Sequence, residues 1–167
     1  MDRYINRLFH VCITVPDIEE ALRFYRDVLG LESIGSLRNE IADGAVLGFP
    51  GQQIEIHADH LCGKNKENAT VIDLIEFITP KTDVAEGPYK LLNHVGITRL
   101  AFDVDDTDAI HAKLLQRGDI EMLCEPQSVQ APTGGVLRIL TFRDPLGIVL
   151  ELIEYQPAIA ETESRTV

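Results

Sequence analysis

The sequence repeats itself, and this repeat limits the folds open to the chain more than any other feature. Residues 8–17 and 97–106 both read as an apolar strand that leads into an acidic helix start, 89 positions apart. Val71–Phe77 is matched by Val149–Tyr155 in its order of apolar, acidic and aromatic positions, 78 positions apart. A segment repeated in this way predicts two modules of the same plan. The two separations differ by 11, and the polar stretch Asp59–Thr70 is predicted to be an insertion in the first module that accounts for this.

Each module is predicted to contain one helix. Asp17 has the form of an N-cap, apolar residues follow it at helical spacing, and Gly30 is predicted to end the helix. The second helix is predicted over Thr107–Arg117, ended by Gly118. Alternating apolar runs predict strands elsewhere in both modules, near residues 32–37, 45–57 (interrupted at 49–51), 71–79, 120–125, 135–142 and 148–155.

The sequence therefore predicts an α+β fold of two βαβββ modules, residues 5–80 and 95–156. They are expected to form a curved mixed sheet with a barrel-like concave site, in one structural domain overall. Residues 81–94 are predicted to be a linker, and residues 157–167 a flexible tail.

Composition excludes several partners. The chain has 15 Lys and Arg against 27 Asp and Glu, a net charge of −12, which disfavours nucleic acid. No apolar run approaches the roughly 20 residues that span a bilayer, so no membrane association is expected. The start lacks a signal-peptide pattern and the three cysteines form no CxxC motif. These features predict a cytoplasmic protein whose cysteines carry no chemistry.

Four polar side chains lie on equivalent strands of the two modules, namely His10, Asp73, Arg99 and Glu151. Strand alternation decides which neighbouring residues share a face of the sheet with each of them. Their apolar neighbours indicate buried strands, where an unpaired carboxylate is costly. Two carboxylates and an imidazole form a donor set suited to a divalent metal ion. Glu76 and Glu154 are expected on the opposite face, toward the helix or solvent. His57 and His60 are predicted in a solvated loop, and His94 and His111 on the surface.

Over residues 7–156 the chain resembles the vicinal oxygen chelate superfamily, also called the glyoxalase/bleomycin-resistance/dioxygenase superfamily. An FYxxVLGL run and a DPxG turn that leads into an LEL strand, in this order, are specific signals for that fold. The resemblance is carried by the strand with His10, Asp17–Gly30, Phe24–Leu31, Leu100–Asp106 and Arg143–Leu152.

The resemblance implies a ligand position on the first and fourth strand of each module. These positions usually hold His or Gln, Glu, His and Glu, whereas this chain has His10, Asp73, Arg99 and Glu151. It implies a metal on His10, Asp73 and Glu151, of unspecified identity, with Arg99 binding a substrate oxyanion. Alternatively, Arg99 donates to Asp73 and Glu151 and replaces the metal, because a guanidinium does not ligate metals.

The function implied is a glyoxalase-like or epimerase-like enzyme, an isomerase or lyase. It would use metal-assisted proton transfer on a small oxygen-bearing substrate, with Glu151 and Asp73 as catalytic proton carriers. The alternative is a metal-free binding protein of the bleomycin-resistance type. An extradiol-type dioxygenase fits less well, because Arg99 stands where a second histidine is needed. The resemblance also implies a homodimer.

Overall fold

The structure is a computed structural model that describes residues 8–67, 69–85, 87–88, 92–93, 96–131 and 134–157. It divides into two compact units, Met1–Glu86 and Gly87–Val167, and this boundary falls within the predicted linker. Within the described residues, each unit contains one α-helix and one mixed sheet. The α+β class with two modules is therefore confirmed. The predicted tail beyond residue 157 and the prediction for His94 lie outside the described residues.

The first unit has a four-stranded sheet in the order β1-β4-β3-β2. β1 runs parallel to β4, and the other pairs are antiparallel. Its elements are β1 (His10–Thr14), α1 (Ile18–Tyr25), β2 (Glu32–Asp43), a 3-10 helix (Gly44–Leu47), β3 (Gln53–Cys62) and β4 (Val71–Thr79).

The second unit has a five-stranded sheet in the order β5-β9-β8-β6, with β7 also paired to β8. Here too the first strand of the unit runs parallel to the last. The elements are β5 (Leu100–Asp103), α2 (Thr107–Leu115), β6 (Glu121–Met122), β7 (Gln127–Gln130), β8 (Val136–Arg143) and β9 (Val149–Gln156).

Three predicted elements of the first unit differ in extent from the structure. The regular part of α1 ends at Tyr25, and hydrogen-bonded turns continue to Gly30, which has φ 79°. β2 extends to Asp43, although its residues are mostly polar and exposed. β3 continues to Cys62, so the first four residues of the predicted insertion at 59–70 belong to the sheet.

The apolar run after residue 44 is a 3-10 helix, and the prediction of a strand there was wrong. The Asp43 carboxylate accepts a hydrogen bond from Ala45 N at 2.9 Å, which begins the turn. Gly44 lies so close to the next strand that a Cβ there would approach Ile54 and Phe49 to 2.8 Å. The tight turn therefore needs glycine, and Val46 within it is exposed rather than buried.

The main core of each unit lies between its helix and its sheet. The fully buried large side chains of the first unit alternate along its strands and recur at helical spacing in α1. The fully buried large side chains of the two units include Ile18, Leu22, Tyr25, Leu61, Leu74, Leu114, Leu140, Phe142, Leu150 and Leu152. Neither described helix has the length and apolar character needed to cross a membrane.

The two helices begin in the same way. The Asp17 carboxylate accepts from Glu20 N at 2.9 Å, and the Asp106 carboxylate accepts from Ala109 N at 2.8 Å. Both pairs keep the separation of 89 read from the sequence. The caps satisfy backbone N–H groups that have no partner inside a helix.

A glutamate from the last strand of each unit adds a second cap. Glu76 Oε2 accepts from Ile18 N at 2.9 Å, and Glu154 Oε2 accepts from Thr107 N at 2.9 Å. The expectation that these two glutamates face the helix side is confirmed. Because β4 and α1 are 58 residues apart at this contact, the bond also ties the helix to its sheet.

We expect Glu76→Ala to lower the free energy of unfolding by about 1 kcal/mol, the usual cost of losing an N-terminal cap. Urea denaturation followed by circular dichroism measures this. Glu67→Ala is the matched control, because Glu67 is exposed in a loop and the same charge is removed. Equal stabilities for the two variants would show that the Glu76 carboxylate does not support the helix.

Candidate functional site

The sheet register of the first unit places one residue from each strand in a single row. Gly35 of β2 is opposite His60 of β3, His60 is opposite Asp73 of β4, and Asp73 is opposite Cys12 of β1. Directly opposed residues project from the same face of a sheet. Asp73 and Glu76 lie on opposite faces by strand alternation, so this row faces away from α1.

Asp73 is the most buried polar member of the row, with 7% of its surface exposed. Its Oδ1 accepts no hydrogen bond from the described residues, and His60 Nε2 lies 3.3 Å from it. Burial raises the pKa of Asp73, while the attraction of His60 and His10 opposes that rise. A carboxyl group with a raised pKa is a stronger base than an ordinary carboxylate, so it is better suited to accept a proton.

His10 and Cys12 lie on β1 beside Asp73. The His10 ring is exposed and packs edge-on against Phe9, with the ring centroids 5.5 Å apart. Partial burial of the Cys12 thiol, together with the negative charge of Asp73, raises the pKa of Cys12 to about 11. The thiol is therefore protonated at neutral pH and is no nucleophile.

The prediction that His60 lies in a solvated loop was wrong, because β3 extends through it. Ile54, Ile56 and Ala58 are buried at alternate positions, and His60 is the next residue on the same face. Continuing this alternation past residue 57 would have placed His60 on this face of β3. His57 is likewise on β3, and its Nδ1 accepts from Asn39 N at 3.0 Å.

An apolar cluster lies next to the polar row on the same face of the first unit. Phe49 of the turn before β3 packs against Phe77 of β4, with ring centroids 5.6 Å apart. The face thus combines a carboxylate and imidazoles with an apolar wall, as small-molecule sites do. The cluster contains Ile54, Ile56, Ala58 and Ile75, with Ala42, Phe49 and Phe77 packed against them.

In the second unit Glu151 occupies the position that Asp73 has in the first. Glu151 of β9 lies opposite Ala101 of β5 and Thr141 of β8. Arg99 Nε lies 3.3 Å from Glu151 Oε1, and the glutamate side chain is only 14% exposed. The second unit therefore contains the Arg99–Glu151 part of the ion-pair alternative raised by the sequence.

The expected ligands fit a divalent metal ion only in part. The buried Asp73 Oδ1 accepts no hydrogen bond from the described residues and lies 3.3 Å from His60 Nε2, so this oxygen could be one ligand of a metal ion. Glu151, the third expected ligand, is already paired with Arg99. Within the described residues no three His, Cys, Asp or Glu side chains are placed to hold a metal ion.

His111 lies on the inner side of α2, and the prediction of a surface position was wrong. It is buried, with its Nε2 3.4 Å from Glu125 Oε2 and without a hydrogen bond from the described residues. Thr107, His111 and Leu114 are the buried residues of the helix, at spacings of four and three. This spacing, readable in the sequence, predicts an inward position.

The chain is similar in sequence to known proteins. The model of a protein family described as the Glyoxalase/Bleomycin resistance protein/Dioxygenase superfamily matches residues 7–152. A 2-epi-5-epi-valiolone epimerase from an Actinomyces species is 27% identical over 161 residues. That alignment covers 94% of this chain and 83% of the epimerase.

Solved structures have the same fold. A glyoxalase family protein from Bacillus cereus is 25% identical, with a TM-score of 0.75 over 92% of this chain and 97% of that one. An antibiotic-binding protein from a Streptomyces species is 21% identical, with a TM-score of 0.57 over 93% of this chain and 100% of that one. The second likeness shows the fold alone.

We expect Asp73→Asn to raise the free energy of unfolding at neutral pH by about 1 kcal/mol, because it removes a poorly compensated buried charge. The raised pKa of Asp73 means that the folded state binds this proton more tightly than the unfolded chain. Wild-type stability should therefore fall as pH rises through the folded-state pKa of Asp73, and the variant should lack this part of the fall.

Urea denaturation across a pH series tests this prediction, with Asp103→Asn as the control for loss of an exposed strand carboxylate. A less stable Asp73→Asn variant, or one with an unchanged pH dependence, would show that partners compensate the Asp73 charge in full.

Proposed function

We propose a function from one premise: the chain belongs to the glyoxalase/bleomycin resistance protein/dioxygenase superfamily. Within it, we assign the chain to the isomerase-like enzymes, which move a proton between substrate and protein at a carbon beside an oxygen-bearing carbon. The observation that carries this proposal is the buried Asp73 carboxyl, with its raised pKa, beside imidazoles and an apolar wall. The 27% identity to an epimerase supports the same class.

In this proposal Asp73 removes the proton from carbon. A carboxylate that is poorly solvated is a stronger base than one in water, so the burial of Asp73 favours the transfer. The apolar cluster beside it excludes water from the carbanionic centre. The protonated Asp73 then returns the proton, or Glu151 delivers one.

Glu151 is proposed as the second proton carrier and Arg99 as the group that binds the substrate oxyanion. The guanidinium contacts Glu151 through Nε, and its terminal nitrogens are donors of the geometry that suits a carboxylate or enolate oxygen. Inversion at a carbon atom needs a group on each side of it. Two carboxyl groups that differ in their surroundings are suited to this, because one can remove the proton while the other delivers one.

A divalent metal would be held by His10, Asp73 and Glu151, and would supply Lewis-acid stabilisation of negative charge on substrate oxygens. The Oδ1 of Asp73, which accepts no hydrogen bond from the described residues, supports this part of the proposal. Because Glu151 contacts Arg99, metal binding would require the glutamate to give up that ion pair.

The substrate class proposed is a small polyhydroxylated ketone. The related epimerase acts, by its name, on 2-epi-5-epi-valiolone, and a ketone acidifies the neighbouring C–H bond. The chain's charge of −12 disfavours polyanionic substrates. Homodimeric assembly remains an expectation from the family resemblance, and a cytoplasmic location remains a prediction from the sequence.

A metal-free binding protein is the second candidate, and one observation favours it. Arg99 occupies a position where metal-binding relatives are expected to have a ligand, and it neutralises Glu151 directly. In that case Glu151 would neutralise the charge of Arg99. The polar row of the first unit would then bind a ligand rather than transfer a proton.

Wild-type protein in D2O should exchange deuterium into 2-epi-5-epi-valiolone, or into a related cyclic polyhydroxyketone, at the carbon beside the ketone. Asp73→Asn and Glu151→Gln should each slow the exchange by about 100-fold or more, the usual contribution of a general acid or base. Proton NMR follows the loss of the C–H signal. Asp103→Asn should exchange at the wild-type rate. A folded wild-type protein that binds such ketones without exchange would favour the binding-protein alternative.

Metal dependence is tested by titrating metal-free protein with Mn²⁺, Co²⁺ or Zn²⁺ in a calorimeter. We expect one ion per chain, at least tenfold weaker binding in Glu151→Gln, and tighter binding in Arg99→His, which supplies an imidazole. The same affinity in wild type and Glu151→Gln, or no binding by wild type, would contradict the metal site.

A further inference from the structure

We propose that His60 is a positioning residue that holds the Asp73 carboxylate in place through Nε2. This inference rests on the proposed function, in which Asp73 carries the proton. The His60 ring comes from the neighbouring strand at the same register, and its Nε2 is 3.3 Å from Asp73 Oδ1. That oxygen has no hydrogen bond from the described residues, so the imidazole is the contact that can fix its orientation.

Gly35 gives the imidazole its room. It lies opposite His60 on β2, which flanks β3 on the side away from β4. A Cβ on Gly35 would come within 3.2 Å of His60 Nδ1. This contact is tighter than side chains normally accept, so any larger residue would press the ring toward Asp73 or away from the sheet. The row Gly35–His60–Asp73 thus places the ring between a glycine and the carboxylate.

The fold itself does not require an imidazole at this position. In the second unit, the residue that faces Glu151 from the adjacent strand is Thr141, although the two sheets share their register at this point. The His60 side chain is also 42% exposed, so it adds less to stability than the apolar residues Ile56 and Ala58 on the same face. These features favour a role for His60 toward Asp73 rather than toward folding.

Two substitutions of His60 separate the positioning contact from the bulk of the ring. Gln keeps an N–H donor near the place of Nε2, whereas Leu keeps the size and removes the donor. We expect His60→Leu to lower kcat for deuterium exchange by roughly 10- to 100-fold, with KM changed by less than about threefold, as for a misplaced catalytic group. His60→Gln should recover most of the loss.

The matched control is His57→Leu, which removes the other histidine of β3 from the opposite face of the sheet. It should exchange at the wild-type rate. A loss in His60→Leu that His60→Gln fails to recover, or an equal loss in His57→Leu, would overturn the positioning role.

Gly35→Ala tests the geometry without removing any polar group. It should lower kcat when His60 is present and have no further effect in His60→Leu, because the two residues act through one contact. Losses that simply multiply in the double variant would show that Gly35 acts independently of His60.

A readout without substrate separates this inference from the proposed function. The carboxyl carbon resonance of Asp73, measured by NMR at one fixed pH, should move in His60→Leu and Gly35→Ala and stay in place in His57→Leu. If the resonance moves but wild-type protein exchanges no deuterium into the ketone, the positioning role of His60 holds and the proposed function fails. If it moves no more in His60→Leu than in His57→Leu, His60 does not position Asp73.

Discussion

The burial of one carboxylate is the constraint on which the account depends. Asp73 is removed from water in the middle of a sheet face, and its Oδ1 accepts no hydrogen bond from the described part of the chain. A group that served stability alone would be satisfied by partners, as the buried Asp59 is by Ser36 at 2.8 Å and Arg38 at 3.2 Å. The contrast between these two aspartates in neighbouring strands separates a structural carboxylate from one left available for chemistry.

The repeat in the sequence predicted more of the fold than local propensity did. Its two separations, 89 and 78, recur in the structure as equivalent caps at Asp17 and Asp106 and as equivalent helix contacts at Glu76 and Glu154. They also recur in the register that gives Asp73 and Glu151 the same place in their sheets. These features were predictable because one set of packing requirements acts on both halves of the chain.

The features that local patterns missed depend on tertiary contacts. The turn at Gly44 is fixed by its close approach to Ile54, which no apolar run reveals. β7 consists of four exposed residues, Gln127–Gln130, and only its pairing with β8 makes it a strand. The sequence predicts a loop at His60 because the polar stretch Asp59–Thr70 has the character of an insertion. Its place beside Asp73 follows from strand pairing, since neither residue alone indicates the other.

The central claim is that Asp73 carries a poorly compensated charge and is therefore a ready proton acceptor. It is tested most directly by measuring the pKa of Asp73 in the folded protein, through the pH dependence of its carboxyl carbon resonance. The account predicts a value above 3.8, the ordinary value for this group. A value at or below 3.8 would mean that partners stabilise the charged form, and Asp73 would then be a structural carboxylate.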